Sequence, residues 1–555
     1  MNPKKTPRLL FGAGLLYFGL LTSSFAQLNN PVTFQITEIP LPINLTEIKK
    51  DEQVTLNFCG LLQSPNRQDI LAYCYGNAAK QRTEVEKAWM QLLATNDSKL
   101  SWLRDQPFNF AYGMAGSRNF NALDDSHHLI ISDMHYGLGS VPLEAKLLSN
   151  LEETLNDVIF DPAASSIPPS LKTWIYKKNA GEEYFDPQIV LPMTDGSLFA
   201  LKLNHVKNKD SIYENYNVIR FDSKGNPVWR TLFREGMTYG VIETADAEQE
   251  KLLQKNPNQM PDDQFGIFSF VGIWLMRSSF AEPTLIAKAD GQSFTYFGAT
   301  QYDPTKAPIP GKDSFGTRLH CLSPDGKGKF ENFLPNAFFG RDAAVFISSG
   351  DVYLVNAPAH PYEVNSQETQ IPFTFRLVNK ECKITQTNQL NVPILRAQPV
   401  KGYKAIDASV MADFAGEILQ VKTTASGDII IVYLEQPNDL GAEDDQLLPY
   451  QLNVAIFSKD GNLKAAKAII STDDPNAWYI HKGSGGDYNF PSQYSISVDL
   501  KIQADDHSAF ISVFNSVLID ENRGNAGYIE NILGQDAVWQ GKNYQTLPRF
   551  FKVSW

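Results

Sequence analysis

The amino-acid sequence predicts an all-β protein built from a repeated antiparallel unit, and three observations predict it. The first is the strand pattern: from Ile189 to the end of the chain, short apolar runs follow one another in groups of four. The second is the turn chemistry between them. Asp-Gly and Gly-rich pairs punctuate the runs, and such turns need the positive φ that Gly supplies. The third is their periodicity, because these turns fall at matching places in five successive units. A four-stranded antiparallel unit repeated about an axis is a propeller blade. The expected fold is therefore a β-propeller of five to seven four-stranded antiparallel blades, with a partly helical N-terminal extension or insertion.

The units follow in order. The first is Ile189 to Met193, turn Thr194-Asp195-Gly196, Ser197 to Leu203, then Tyr216 to Phe221, turn Asp222 to Asn226, and Pro227 to Phe233. The second turns at Ala289-Asp290-Gly291 and again at Ser323-Pro324-Asp325-Gly326. The third turns at Ser348 to Gly350 and at Asn379 to Cys382. The fourth turns at Ala425 to Gly427 and at Ser458 to Gly461. The fifth has Ser497 to Gln503, turn Ala504 to Asp506, Ser508 to Val517, and closes with Arg549 to Trp555. It lacks a fourth strand. The alternating run Val32 to Leu41 is expected to supply it, beside Arg549 to Trp555.

The domain reading runs from the other end of the chain. Residues 1–26 read as a secretory signal peptide: Lys4, Lys5 and Arg8 precede the apolar run Leu9 to Thr22, and Ser24 and Ala26 are small residues before a cut after Ala26. That run is shorter than the roughly 20 residues of a membrane span, and no later run is long enough, so no transmembrane segment is expected in the mature chain. Residues 27–49 hold the closing strand. Residues 50–187 fit the repeat badly and read as a mixed helical and strand extension or a degenerate blade. Glu84 to Leu93 and Leu143 to Val158 have helical spacing, whereas Asn109 to Tyr112 and Leu129 to Asp133 look like strands. Residues 188–555 carry the repeats.

Charge and cysteines bound the function. The formal charge is -13, without the basic footprint that nucleic acid requires, so no nucleic-acid partner is expected. An exported chain meets an oxidising compartment, periplasmic or extracellular, where its four cysteines can pair. Cys59 with Cys74 is the short local closure, which leaves Cys321 with Cys382. Four reduced, buried thiols are the alternative.

The run Arg220-Phe-Asp-Ser-Lys-Gly-Asn-Pro-Val-Trp229 resembles the strand, D-x-x-G turn and Trp-bearing strand of the quinoprotein-like (PQQ-like) propellers. The resemblance covers roughly residues 188 to 555 and concerns blade style. It implies the propeller fold and admits a dehydrogenase. A second motif, His127-His128-Leu-Ile-Ile-Ser-Asp133-Met-His135, is similar to the first metal motif of the calcineurin-like metallophosphoesterases. The later Gly-Asn-His and Gly-His-x-His motifs of that family are missing from the sequence, so no metal site is assigned. A simpler metal set would draw on Asp124, Asp125, His127, Asp133 and His135. No Ser-nucleophile elbow, H-E-x-x-H or P-loop occurs. No catalytic, ligand or cofactor residue can be named.

Loop length separates the two faces of the disc. Turns within strand pairs one-two and three-four read as tight. The second-to-third loops read as long: 204–215, 299–316, 357–372, 435–450 and 518–548. These loops carry Asp210, Tyr213 and Glu214; Tyr302, Asp303 and Asp313; Tyr362 and Glu363; Glu443, Asp444 and Asp445; and Asp520, Glu521, Tyr528 and Trp539. Rigid scaffolds place function on such loops. The leading expectation is an exported propeller that binds a protein or carbohydrate ligand through this face. The alternatives are a carbohydrate-active hydrolase or lyase, or a quinoprotein-like dehydrogenase, on the same face. A third is a subunit of a cell-envelope assembly that exposes an apolar patch around Phe265 to Met276.

Overall fold

The computed structural model describes residues 34–39, 53–80, 83–93, 99–107, 119–133, 137–143, 172–174, 189–208, 211–235, 284–302, 315–335, 344–347, 350–356, 369–395, 414–437, 446–474, 478–481, 496–515 and 548–555. Every regular element among them is a strand. The signal segment, Asn109 to Tyr112, the helix expected beyond Leu143, and Phe265 to Met276 lie outside the described residues.

The chain opens with β1 (Gln35–Ile39). Blade 1 is then β2 (Gln53–Gln63), β3 (Ile70–Lys80), β4 (Thr83–Leu92) and β5 (Lys99–Pro107), and blade 2 is β6 (Asn119–Leu123), β7 (His128–Asp133), β8 (Gly137–Pro142) and β9 (Lys172–Trp174). Blade 3 is β10 (Ile189–Pro192), β11 (Leu198–Asn208), β12 (Ser211–Phe221) and β13 (Pro227–Glu235). Blade 4 is β14 (Thr284–Ile286), β15 (Thr295–Tyr302), β16 (Phe315–Leu322) and β17 (Lys329–Pro335). Blade 5 is β18 (Ala344–Phe346), β19 (Val352–Asn356), β20 (Gln370–Val378) and β21 (Ile384–Pro393). Blade 6 takes β22 (Phe414–Thr423), β23 (Ile429–Pro437), β25 (Gln451–Phe457) and β26 (Leu463–Ile470); β24 (Gln446–Pro449) and β27 (Trp478–His481) pair separately. Blade 7 is β28 (Ile496–Ile502), β29 (Ser508–Asn515) and β30 (Pro548–Ser554), with β1 paired antiparallel to β30 from Gln35↔Ser554 to Ile39↔Phe550.

Among the described residues seven four-stranded antiparallel sheets thus form the propeller. Their first strands meet in ring order: β2 touches β6, β6 touches β10, β10 touches β14, β18 touches β22, and β28 touches both β22 and β2. Blades 4 and 5 complete the ring through a shared core of Tyr296, Leu319, Val352, Leu354 and Val378.

Residues 50–187, expected as an extension or one degenerate blade, contain two sheets in their described part. Glu84 to Leu93, expected as a helix, is strand β4 with its flanking residue. Val85, Ala88, Trp89 and Leu92 do fall at helical spacing, and Glu, Lys and Ala favour helix. Packing overrides that preference, because the adjacent residues Trp89 and Met90 are both buried, as a strand enclosed on two faces requires and a one-faced helix does not.

That two-faced burial builds the core. Along β11, Leu198 and Ala200 pack with Ala122 and Ile130 of blade 2, while Phe199 and Leu201 pack with Leu285, Phe297 and Leu322 of blade 4. Successive side chains alternate between two inter-blade layers. Apolar runs that are continuous in sequence are therefore alternating in space.

Side chains also satisfy the backbone of the first strands. Leu61 N–H donates to Asp499 Oδ2 (3.0 Å), Gln63 Nε2 donates to Ile502 O (2.5 Å), and Gln420 Nε2 donates to Val498 O (2.7 Å). Each bond joins neighbouring blades, and pairs groups that no strand within the blade pairs.

Two disulfides add covalent ties. Cys59–Cys74 links directly paired residues of β2 and β3, with Cα atoms 4.1 Å apart. Cys321–Cys382 links blade 4 to blade 5, with Cα atoms 5.8 Å apart.

Candidate binding face

The turns between first and second strands, and between third and fourth, emerge on one side of the disc, the turn face. The second-to-third connections and the inter-blade links emerge on the other, the loop face.

The turn face has one geometry throughout its described part. All seven first-to-second turns close with a backbone bond from the fourth residue to the first, as in Arg67 N→Ser64 O (2.9 Å), Gly196 N→Met193 O (3.0 Å) and Asp506 N→Gln503 O (3.1 Å). The fourth residue is always left-handed: Arg67, His127, Gly196, Gly291, Gly350, Gly427 and Asp506. Gly225, Gly326, Cys382 and Gly461 repeat this in the third-to-fourth turns of blades 3 to 6. This is the short hairpin in which a left-handed residue ends the turn.

Polar groups on this face are used within the turns or between neighbouring blades. Asp222 accepts from Lys224 N–H (2.9 Å) and Asn226 N–H (2.8 Å). The Asn226 amide, with the Asn226 side chain and Lys224, holds the Asp222 carboxyl below its ordinary value. The Ser323 hydroxyl, then Lys327 N–H, does the same for Asp325. At Asp124 burial pushes upward, but the nearby His128 side chain, with hydrogen bonds from His128 N–H and Ser126 N–H, prevails and lowers it.

The sequence motif around His127 falls in this setting. Asp124 caps its own turn through Ser126 N–H and His128 N–H, both at 2.8 Å. Asp125 accepts from Asn66 N–H of blade 1 (2.9 Å), and burial holds its carboxyl above the ordinary value. His127 Nε2 stands 2.9 Å from Asp69 Oδ2 of blade 1. Asp133 ends β7, and His135 lies outside the described residues. No group of three or more His, Cys, Asp or Glu side chains suited to a metal occurs among the described residues. The described start of the motif is a hairpin with inter-blade contacts.

The loop face differs from expectation in one respect. The stretch 204–215 is a ladder, not a long loop: β11 and β12 pair from Leu198↔Phe221 out to Asn208↔Ser211, leaving two residues between them. Blade 1 has the same form, with β3 and β4 pairing out to Lys80↔Thr83. Tyr213 and Glu214 therefore lie on β12, and Tyr302 ends β15. Asp210, Asp303, Asp313, Tyr362, Glu363, Glu443 to Asp445, Asp520, Glu521, Tyr528 and Trp539 lie outside the described residues.

Sequence reasoning missed a ribbon on this face. β24, in the second-to-third connection of blade 6, pairs antiparallel with β27, in the link from blade 6 to blade 7: Gln446↔His481, Leu447↔Ile480, Leu448↔Tyr479 and Pro449↔Trp478. The register puts residues 447, 449, 478 and 480 on one side of the ribbon, and 446, 448, 479 and 481 on the other. Each strand has four residues, and a whole blade edge separates them in sequence. Only the β-rich run Trp478-Tyr-Ile-His481 could have signalled it.

Buried polar groups brace the blade below the ribbon. Glu435 accepts from Leu395 N–H (2.9 Å) and Asn453 Nδ2 (2.6 Å), and Gln451 Nε2 donates to Asn453 Oδ1 (3.1 Å). Tyr433 donates its hydroxyl to Pro393 O (2.5 Å), and burial drives that hydroxyl far above its ordinary pKa. Glu435 and Tyr433 thus pin the link from blade 5 to blade 6.

No family model matches the sequence, and no curated protein matches it. Solved structures align with it at low similarity. An acylaminoacyl peptidase of Pyrococcus horikoshii aligns at 10% identity and a TM-score of 0.35, over 83% of this chain and 57% of the peptidase. An endo-arabinase of Bacteroides thetaiotaomicron aligns at 11% identity and 0.23, over 58% of this chain and 87% of the arabinase. An apocarotenoid oxygenase of Synechocystis aligns at 8% identity and 0.31, over 87% of this chain and 89% of the oxygenase. Such distant likenesses assign no activity to this chain.

Proposed function

We propose that this protein is an exported binding propeller that engages a protein or carbohydrate ligand through its loop face. One observation carries the reading: the described turn face is built of short hairpins whose polar groups bond within the turn or to the next blade, whereas the loop face bears a separate β-ribbon that closes no blade. A ribbon outside the blade sheets adds little to ring closure. It does present eight backbone positions, with Trp478 and Tyr479 among them, and in sequence the acidic run Glu443 to Asp445 leads into it. Aromatic residues and carboxylates are residue types that suit a sugar or a basic protein surface. Export belongs to the same reading. Residues 1–26 have the three parts of a secretory signal, and the two disulfides fit an oxidising compartment.

The test uses residues 27–555 with a glycan array and a panel of purified envelope and surface proteins. Trp478→Ala and Tyr479→Ala are expected to weaken the captured ligand at least about tenfold, the scale of an aromatic anchor. Lys224→Ala and Asp460→Ala, on the turn face, are expected to leave it unchanged. A ligand lost with the turn-face pair and kept by the ribbon pair would overturn the proposal.

A further inference from the structure

Left-handed backbone disfavours any residue with a Cβ, and Gly is the default there. Seven of the described left-handed positions are Gly. The four that are not are Arg67, His127, Cys382 and Asp506, and they share a property. Each reaches the blade that precedes its own in the ring. Arg67 of blade 1 donates from Nη2 to Gln503 O (2.5 Å) and from Nε to Ile502 O (3.3 Å) of blade 7, and pairs with Asp506 there. His127 of blade 2 meets Asp69 of blade 1. Cys382 of blade 5 is bonded to Cys321 of blade 4. Asp506 of blade 7 accepts from Ala425 N–H of blade 6 (2.9 Å).

We infer that the left-handed turn position doubles as an inter-blade latch, and that Asp506 locks the seam of the ring by holding blades 6, 7 and 1 together. Blade 7 is the seam, because it alone is assembled from both ends of the chain. Its Asp506 carboxylate takes Arg67 from one side on Oδ1 and Ala425 N–H from the other on Oδ2. Three of the four side-chain latches thus fall on one arc, blades 6-7-1-2, which contains the seam. A Gly there would relax the backbone and release the ring.

The sign of a substitution tests this. At a left-handed site, exchange for Gly relieves strain and by itself stabilises. Under the latch, Arg67→Gly and Asp506→Gly do the opposite. In residues 27–555 both are expected to lower the urea midpoint, and to speed amide exchange in β2 and β28 about tenfold or more, the scale of a lost charged hydrogen bond. Exchange in blades 3 and 4 is expected to stay as it was. A midpoint unchanged or raised in both variants would overturn the inference. If neither variant is recovered folded, Asp506→Asn decides. Asn tolerates the left-handed backbone and can still accept from Ala425 N–H, but it loses the charge facing Arg67. Faster exchange confined to β2 and β28 supports the latch, and unchanged exchange there overturns it.

Discussion

A Cβ on Gly326 would lie 2.7 Å from Trp229 Cδ2 and 2.8 Å from its Cγ, on a backbone with φ of +70°. The indole cannot retreat easily. Its Nε1 donates to Pro324 O (3.1 Å), to which Arg220 Nη1 also donates (2.9 Å), and its ring meets Phe199 edge-on at 5.7 Å. At Gly196 φ is +76°, but the nearest atom is Ser223 Cβ at 3.4 Å. Gly196→Ala is therefore expected to cost about 1–2 kcal/mol, the left-handed penalty alone. Gly326→Ala adds overpacking, for a total of about 2–5 kcal/mol. Urea midpoints of the two variants check this, and equal losses would show that Trp229 yields. At this scale the sequence was legible wherever Gly marks the turn. Cys382 and Asp506 lack that mark too, and there the repeat frame disclosed the turn; Arg67 and His127 have neither Gly nor that frame, so Ser64 to Asp69 and Asp124 to His127 gave no hairpin signal. Blades 1 and 2 stayed hidden for that reason. The residues that fasten these blades to their neighbours are the ones that disguise them.

Among elements, the turn carboxylates make the blades acid-sensitive in a definite direction. Asp222 and Asp325 are held below their ordinary values by hydrogen bonds, and Asp505 is too, where the bonds of His507 N–H and Ser508 outweigh burial. A carboxyl whose folded value is depressed adds stability above its unfolded value, near 4, and that stability is lost as pH falls through the folded value. The urea midpoint is thus expected to stay level from about pH 7 to 5 and to drop below about pH 4. Asp222→Asn with Asp325→Asn keeps an acceptor in each turn and removes two titrating groups, so its drop is expected to be shallower. An equally steep drop would place the acid sensitivity elsewhere. Strand assignment followed a related division. In the repeats, turn chemistry bounded the runs before periodicity was needed. In β4 periodicity stood alone and misled, because a strand buried on both faces gives Val85, Ala88, Trp89 and Leu92 a helical spacing by coincidence. The ribbon of β24 and β27 was illegible for a third reason. Its pairing is a product of the ring, which brings two connections together.

For the whole molecule, closure rests on residues from opposite ends of the chain. Arg549 in β30 donates from Nε and Nη2 to the two carboxylate oxygens of Glu38 in β1, each at 2.8 Å, and from Nη1 to Asp474 Oδ2 at 2.8 Å. Its guanidinium also lies 5.0 Å from the Phe551 ring centroid. One side chain thus ties the first strand, the last strand and the link between blades 6 and 7. The partners differ in exposure: the Arg549 side chain is 8% exposed, Asp474 21% and Glu38 46%. Screening limits what Glu38 alone contributes, so Glu38→Ala is expected to cost about 1 kcal/mol or less. Arg549→Ala removes a buried hub and takes its guanidinium from Asp474 and Glu38, so about 2–4 kcal/mol is expected, near the range for breaking a buried pair. The two losses are read from urea midpoints, with limited proteolysis between residues 27 and 41 as the local readout. Cleavage there should rise in both variants, since both loosen β1. Only Arg549→Ala should also open the blade 6–7 link. If Glu38→Ala matched Arg549→Ala in both measurements, the closing strand would be held by that single ion pair, with no contribution from Asp474 or the Phe551 ring.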